Sequence, residues 1–144
     1  MKWTIDKGNL PFFVRIDTRG EPTVRDLASM WSEVIESDFW QPGFTALLDN
    51  RKLNEARDPN EFVSGAIEFF SENKERIGPA CIASVGANPV GFQHARRFQC
   101  GIRSNGSDAV LQIFNTEPQA VQWLDHFCKT GKNSYHNEKA ASWS

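Results

Sequence analysis

Three short polar segments carry the residue types best suited to chemistry: Asp49-Asn50-Arg51, Gly86-Ala87-Asn88 and Asn115-Thr116-Glu117. Each follows an apolar run. Each therefore falls just past the carboxyl end of a buried strand, where ligands of open α/β sheets collect. The rim so formed offers an acid, a base, side-chain amides and helix amino ends, a set able to receive an anion or a polar ligand. Asp49, Asn50, Arg51, Gly86, Asn88 and Asn115 are the candidate ligand-binding residues on this reading. The plainer alternative makes Asp58, Asn88 and Thr116 ordinary helix caps and Asp49 with Arg51 a local ion pair.

Other chemistry finds less support. Gly86-x-Asn88-Pro89-x-Gly91 lacks the spacing of a dinucleotide fingerprint, and there is no P-loop, so no nucleotide site is expected. His94 and Arg97 lie three apart on one side of a helix, a pair able to meet a phosphate, although a solvated helix face explains them as well. His126 and His136 have no evident partners, and no spacing marks a nucleophile with its base, so no catalytic residue is assigned. The three cysteines, Cys81, Cys100 and Cys128, are odd in number and widely spaced, without a CxxC pair. Neither a disulfide framework nor a metal site is expected from them, and no cofactor is implied. Cys81 and Cys128 stand in apolar surroundings. Cys100, beside Gly101 near a helix end, is the one expected nearer the surface.

The elements that must position these residues are legible from capping and periodicity. Lys2–Asp6 and the better-alternating Phe12–Thr18, joined through Lys7-Gly8-Asn9, read as a β-hairpin. Along the second strand Phe12, Val14 and Ile16 face one way, and Phe13, Arg15 and Asp17 the other. Thr23 opens an amphipathic helix with Val24, Leu27, Ala28, Trp31, Val34 and Ile35 on one stripe, ending near Asp38. Phe44–Leu48 is a continuous apolar run suited to a strand buried on both faces. Asp58-Pro59-Asn60-Glu61 starts a helix, with Phe62, Ala66, Ile67, Phe69 and Phe70 on its apolar side, stopped by Gly78-Pro79. Ala80–Val85 is the next strand. Asn88-Pro89 opens a helix carrying Phe92, Ala95, Phe98 and Ile102. Ala109–Phe114 is the last strand, and Thr116-Glu117-Pro118 opens the last helix, with Gly131 as its C-cap. The order β-β-α-β-α-β-α-β-α predicts an α/β domain over residues 1–131. Its five-stranded sheet is mostly parallel, entered by an antiparallel first strand and covered by four main helices. Residues 132–144 form a polar C-terminal tail.

With 144 residues, 40% of them apolar, the chain can bury one core without disulfides or metals. A net charge of −2 with dispersed Lys and Arg gives no footprint for nucleic acid. No apolar run spans a bilayer and no leader peptide stands at the start, so a cytoplasmic location without membrane insertion is expected.

Four stretches together resemble the SpoIIAA-like branch of the STAS superfamily. They are Gly20-Glu21-Pro22-Thr23 with its helix; Phe39–Phe44 running into Leu47-Leu48-Asp49-Asn50-Arg51; Ala80–Gly86 running into Ala95-Arg96-Arg97-Phe98; and Val110–Phe114 followed by Glu117 and Ala120–Leu124. The resemblance covers roughly residues 2–128. It implies a repeating strand-helix core and, by the better-understood members, a regulator that binds protein partners. Some of those are switched by phosphorylation of a serine near the start of the helix after the Asp-ended strand. Here no Ser or Thr stands between Leu47 and Val63, so that switch is not expected.

Three functions follow in order of preference. The first is a non-enzymatic regulatory or interaction module with a protein partner or a second copy of itself. Aromatics crowd the first third of the chain, and Phe13 and Trp40 are its candidate interface residues, with a sheet-plugging role for Trp40 and Phe39 as the equal alternative. The second is a domain for a small apolar molecule or lipid, with Phe62, Phe69, Phe70, Phe92 and Phe98 lining a pocket of several hundred Å³. The third is an enzyme built on Asp49 and Arg51.

Overall fold

The computed structural model describes residues 1–7, 12–86 and 89–130, with backbone alone at 89–92 and 127–130. Residues 8–11, 87–88 and 131–144, which include Asn88 and Gly131, lie outside the described residues.

Five strands form one sheet in the order β1-β2-β3-β4-β5: β1 (Lys2–Lys7), β2 (Val14–Gly20), β3 (Thr45–Leu53), β4 (Cys81–Val85) and β5 (Val110–Phe114). β1 runs antiparallel to β2, with Ile5 opposite Ile16, and every later pairing is parallel. The helices are α1 (Val24–Ile35), α2 (Pro59–Glu72), the single turn α3 (Lys74–Ile77), α4 (Pro89–Ser104) and α5 (Glu117–Thr130). The expected α/β architecture is thus present, with one short helix in addition.

That extra turn has a local cause. The side-chain amide and backbone N–H of Asn73 both bond the carbonyl of Phe69, at 2.9 and 3.1 Å. This closes α2 one turn before Gly78. Gly78, with φ of 63°, then ends α3; a Cβ there would stand 2.7 Å from Pro42. The two N-caps expected for α1 and α2 are formed: Thr23 Oγ1 accepts from the N–H of Asp26 and Asp58 Oδ1 from that of Glu61, each at 3.1 Å.

The pleat divides the core into two layers. Val14 and Ile16 of β2, Ala46 of β3 and Ile82 of β4 face α1, α2 and α4. Leu47, Cys81, Ala83, Val85 and Val110 face Ala120 and Leu124 of α5. In the first layer Trp31 meets Phe70 edge-on at 5.4 Å, and Phe70 meets Phe98 at 5.0 Å. Such pairs contribute about 0.5–1.5 kcal/mol each beyond their buried area. Close glycine contacts bring the helices together: a Cβ at Gly65 of α2 would fall 2.6 Å from both methyls of Val24. One at Gly101 of α4 would fall 2.5 Å from Ile67. At the β5 edge Gln99 bonds the carbonyl of Ala109 and the N–H of Leu111, at 3.0 and 2.6 Å. It supplies partners that no further strand among the described residues provides.

Candidate functional site

The alternation of β3 separates the three residues that the sequence places side by side. Asp49 and Arg51 face α5, while Asn50 faces the opposite layer. The β2–β3 register also shifts between Asp17 and Arg19, so that Asp17 pairs with Asp49 but Arg19 with Lys52. The extra residue lies on β3 at Asn50–Arg51, an irregularity of the kind that re-aims side chains at strand ends.

On the α5 side Asp49 lies in a network of five charges. Arg51 grips it through Nε at 2.9 Å and Nη2 at 2.7 Å, and Arg15 reaches it at 3.1 Å. Arg15 also bonds Asp17 at 3.2 Å and Glu117 at 3.0 Å, and Arg51 reaches Glu117 at 3.3 Å. The hydrogen bonds from Arg51 hold the Asp49 carboxyl below the usual carboxylate range, against the opposing effect of burial. Burial disfavours the charge of Arg15, but its bonds to Glu117 and Asp17 outweigh this and hold its pKa above the usual value. Every guanidinium here already has carboxylate partners, and the carboxylates outnumber the guanidiniums. The geometry is that of a clamp fastening the first turn of α5 to the ends of β2 and β3. Sequence reasoning placed Arg15 and Asp17 on one face of their strand but missed their meeting with Asp49, because the parallel register that brings them together is non-local.

On the other side lies a cavity of about 530 Å³ between the sheet and helices α1, α2 and α4. Its walls are largely apolar, with Met30 and Trp31 of α1, Phe62 and Ala66 of α2, Phe98 of α4 and Ile82 of β4 among them. Exposed Asn54 and Glu55, in the loop from β3 to α2, mark its mouth. Set into the sheet wall is a polar triad. Thr18 Oγ1 lies 2.5 Å from Asn50 Oδ1 and 3.2 Å from the Asp49 carbonyl, and Asn50 Nδ2 donates to Ser84 Oγ at 3.0 Å. Thr18 and Ser84 are 5% and 4% exposed, so these polar groups are satisfied by one another and not by bulk solvent. Neither residue was singled out from the sequence, since Thr18 ends an alternating strand and Ser84 hides in the apolar run of β4.

The remaining candidates scatter. Gly86 and Arg51 also line the cavity. Gly86 has φ of 96°, and a Cβ there would meet the Arg51 backbone at 2.9 Å, so glycine lets β4 turn off across β3. Asn115 is exposed beyond β5, beside a shallow depression shared with Phe114 and Trp123. Asn88 is outside the described residues. Trp40 is 7% exposed, packs edge-on to Trp31 and Phe44, and donates its indole N–H to the Arg76 carbonyl at 2.9 Å. Phe13 is half-buried and stacks on Phe44 at 4.6 Å. Of the five phenylalanines expected around a pocket, Phe62, Phe70 and Phe98 line the cavity. Phe69 packs against Phe70 instead, and the side chain of Phe92 is outside the described residues. Arg97 bonds the side chain and carbonyl of Asn60 at 2.6 and 3.0 Å, tying α4 to the start of α2, and His94 lines the cavity. Cys81 is buried and Cys100 exposed. Among the described residues no three His, Cys, Asp or Glu side chains gather as metal ligands, and no helix is long and apolar enough to cross a membrane.

No family model matches the sequence, and no curated protein matches it. The structure is similar to that of an uncharacterized protein of the DUF3478 family from Shewanella loihica PV-4, which has a SpoIIAA-like fold. The TM-score is 0.55 at 13% identity, covering 85% of this chain and 92% of that one. Strand order, the antiparallel first strand and the helices on both faces agree with that likeness: the chain has a SpoIIAA-like fold.

Proposed function

We propose that this protein binds a small, predominantly apolar molecule in the cavity between the sheet and helices α1, α2 and α4. The observation that carries the reading is the cavity's size and lining. At about 530 Å³ it lies within the range of ligand pockets, roughly 300–1,000 Å³. The cavity opens to solvent at its mouth, and most of its wall is apolar. An apolar occupant that covers this wall removes it from water, a gain of about 25 cal/mol per Å².

The regulatory reading draws its support from the resemblance of the sequence to SpoIIAA-like regulators and needs no cavity. The ligand reading accounts for the cavity, and we rank it first.

The test is titration with 1,6-diphenylhexatriene, a pure hydrocarbon that fluoresces in apolar surroundings, alongside native mass spectrometry of gently purified protein. Saturable binding of one probe per chain, or a retained non-covalent mass that the probe displaces, is expected. Absence of both would sink the reading.

A further inference from the structure

The polar triad makes the cavity more specific than a hydrocarbon slot. We propose that its ligand carries one uncharged end group that accepts a hydrogen bond, seated on Ser84 and Asn50, with the apolar remainder lying under α2. This deepens the reading of the cavity given above and rests on it.

Three observations carry the inference. First, the triad leaves donors unused. Thr18 spends its single proton within the triad, and one N–H of Asn50 goes to Ser84 Oγ. The hydroxyl proton of Ser84 and the second N–H of Asn50 have no acceptor among the described residues. A carbonyl, ether or hydroxyl oxygen placed there would take them. Second, burial makes such a group worthwhile. Ser84 is 4% exposed, and a hydrogen bond made away from water discriminates more strongly than one at the surface. Third, the charge balance excludes an ionised end at this spot. Arg51 lines the cavity, but its guanidinium is held by Asp49 and Glu117, and the terminal ammonium of Met1, another lining residue, is paired with Asp26 at 3.0 Å. The other ionisable side chains lining the cavity, Glu55 and His94, lie in the loop after β3 and on α4, not on the strands that carry the triad. A carboxylate seated on two neutral donors alone would lose far more hydration than they return.

The experiment compares 2-octanone with octanoate at pH 8 in wild type and Ser84→Ala, with diphenylhexatriene as a probe blind to hydrogen bonding. Wild type should bind the ketone at least about fivefold more tightly than the carboxylate. Ser84→Ala should lose about five- to tenfold in ketone affinity while its affinity for the hydrocarbon stays unchanged, which also shows that the variant is folded with its cavity intact. Equal loss of ketone and hydrocarbon, an unchanged ketone affinity, or octanoate binding as tightly as the ketone would each overturn the end-group assignment while leaving the cavity reading in place. Failure of the wild type to bind even the hydrocarbon would instead remove the reading on which the assignment rests.

Discussion

Replacing Ala66 by leucine should stabilise the ligand-free protein and weaken its binding of apolar probes at the same time. Ala66 is 4% exposed, sits on α2 and lines the cavity. Leucine adds three carbons, and at about 0.8 kcal/mol for each buried methylene the gain is about 2.4 kcal/mol. Ordering the leucine side chain returns about 0.5–1 kcal/mol of that. The net of about 1–2 kcal/mol corresponds to a rise of roughly 3–6 °C in Tm for a domain of this size. In the complex the same atoms compete with the ligand. An overpacking cost of about 1–3 kcal/mol then weakens diphenylhexatriene binding by about five- to 150-fold. The control is Ala83→Leu on β4, fully buried against α5 and not among the residues that line the cavity. There the same substitution should lower stability by about 1–3 kcal/mol. Calorimetry on both variants with probe titration on the first decides the matter. If Ala66→Leu lowers Tm as far as Ala83→Leu does and leaves probe affinity unchanged, the space under α2 is not there and the argument built on it fails.

Four further substitutions probe the frame around the cavity. Gly65→Ala should destabilise by about 1 kcal/mol, because its methyl meets both methyls of Val24 and overpacking outweighs the gain of about 1 kcal/mol in helix propensity. Adding Val24→Ala should remove that conflict, so chemical denaturation of the double mutant should show a favourable coupling between the two sites. Gln99→Ala strands the Ala109 carbonyl and the Leu111 N–H at the sheet edge and should cost about 1–3 kcal/mol, with faster hydrogen exchange at Leu111. Asp49→Asn should cost about 1–2 kcal/mol at pH 7. The folded carboxyl sits below its unfolded value, so its contribution is complete above about pH 4 and is lost as pH falls through the lowered folded value. Urea midpoints of wild type and variant should therefore converge at acid pH, and a gap that stays constant would refute the role given to that ion pair.

Caps, breakers and periodicity carried most of the fold. Asp58-Pro59 and Thr23 mark helix starts because their side chains take the first free N–H groups, a purely local event. The apolar run Ala80–Val85 is a strand buried on both faces, and all five residues of β4 are indeed buried. What escaped was non-local. The apolar run ending at Leu48 hides the fact that β3 continues to Leu53, because its polar end is held by pairing with β2, with Lys52 opposite Arg19 and Leu53 opposite Gly20, and not by its own hydrophobicity. Asp49-Asn50-Arg51 reads as one cluster until the strand is known to run through it, whereupon the pleat sends Asp49 and Arg51 to one face and Asn50 to the other. Phe62, Phe70 and Phe98 read equally well as core or as pocket lining, since periodicity reports which face is covered and not how completely it is filled.

A cavity of this size persists only if its walls cannot settle onto it, and the packing of α2 supplies the reason. α2 rests on its neighbours α1 and α4 in preference to the sheet. Gly65 seats it on Val24 of α1, and Gly101 of α4 receives its Ile67. At its amino end Arg97 of α4 holds Asn60. At its carboxyl end Asn105 bonds Ser71 at 2.9 Å, and Lys74 of α3 bonds the Asn105 carbonyl at 3.1 Å. The helix is thus pinned at both ends and in the middle to flanking helices that stand on the strands, and it spans the gap between them as a roof. Relaxation into the cavity would break these contacts together, whereas an occupant would cover its apolar walls without moving any of them. The clamp of Arg15, Arg51, Asp49 and Glu117 on the opposite face complements the roof by fixing β2 and β3 where Thr18 and Asn50 project from them. Asp49 and Glu117 therefore support the site from behind by holding the arginines, and on the proposed reading the groups that meet a ligand are the neutral Ser84 and Asn50.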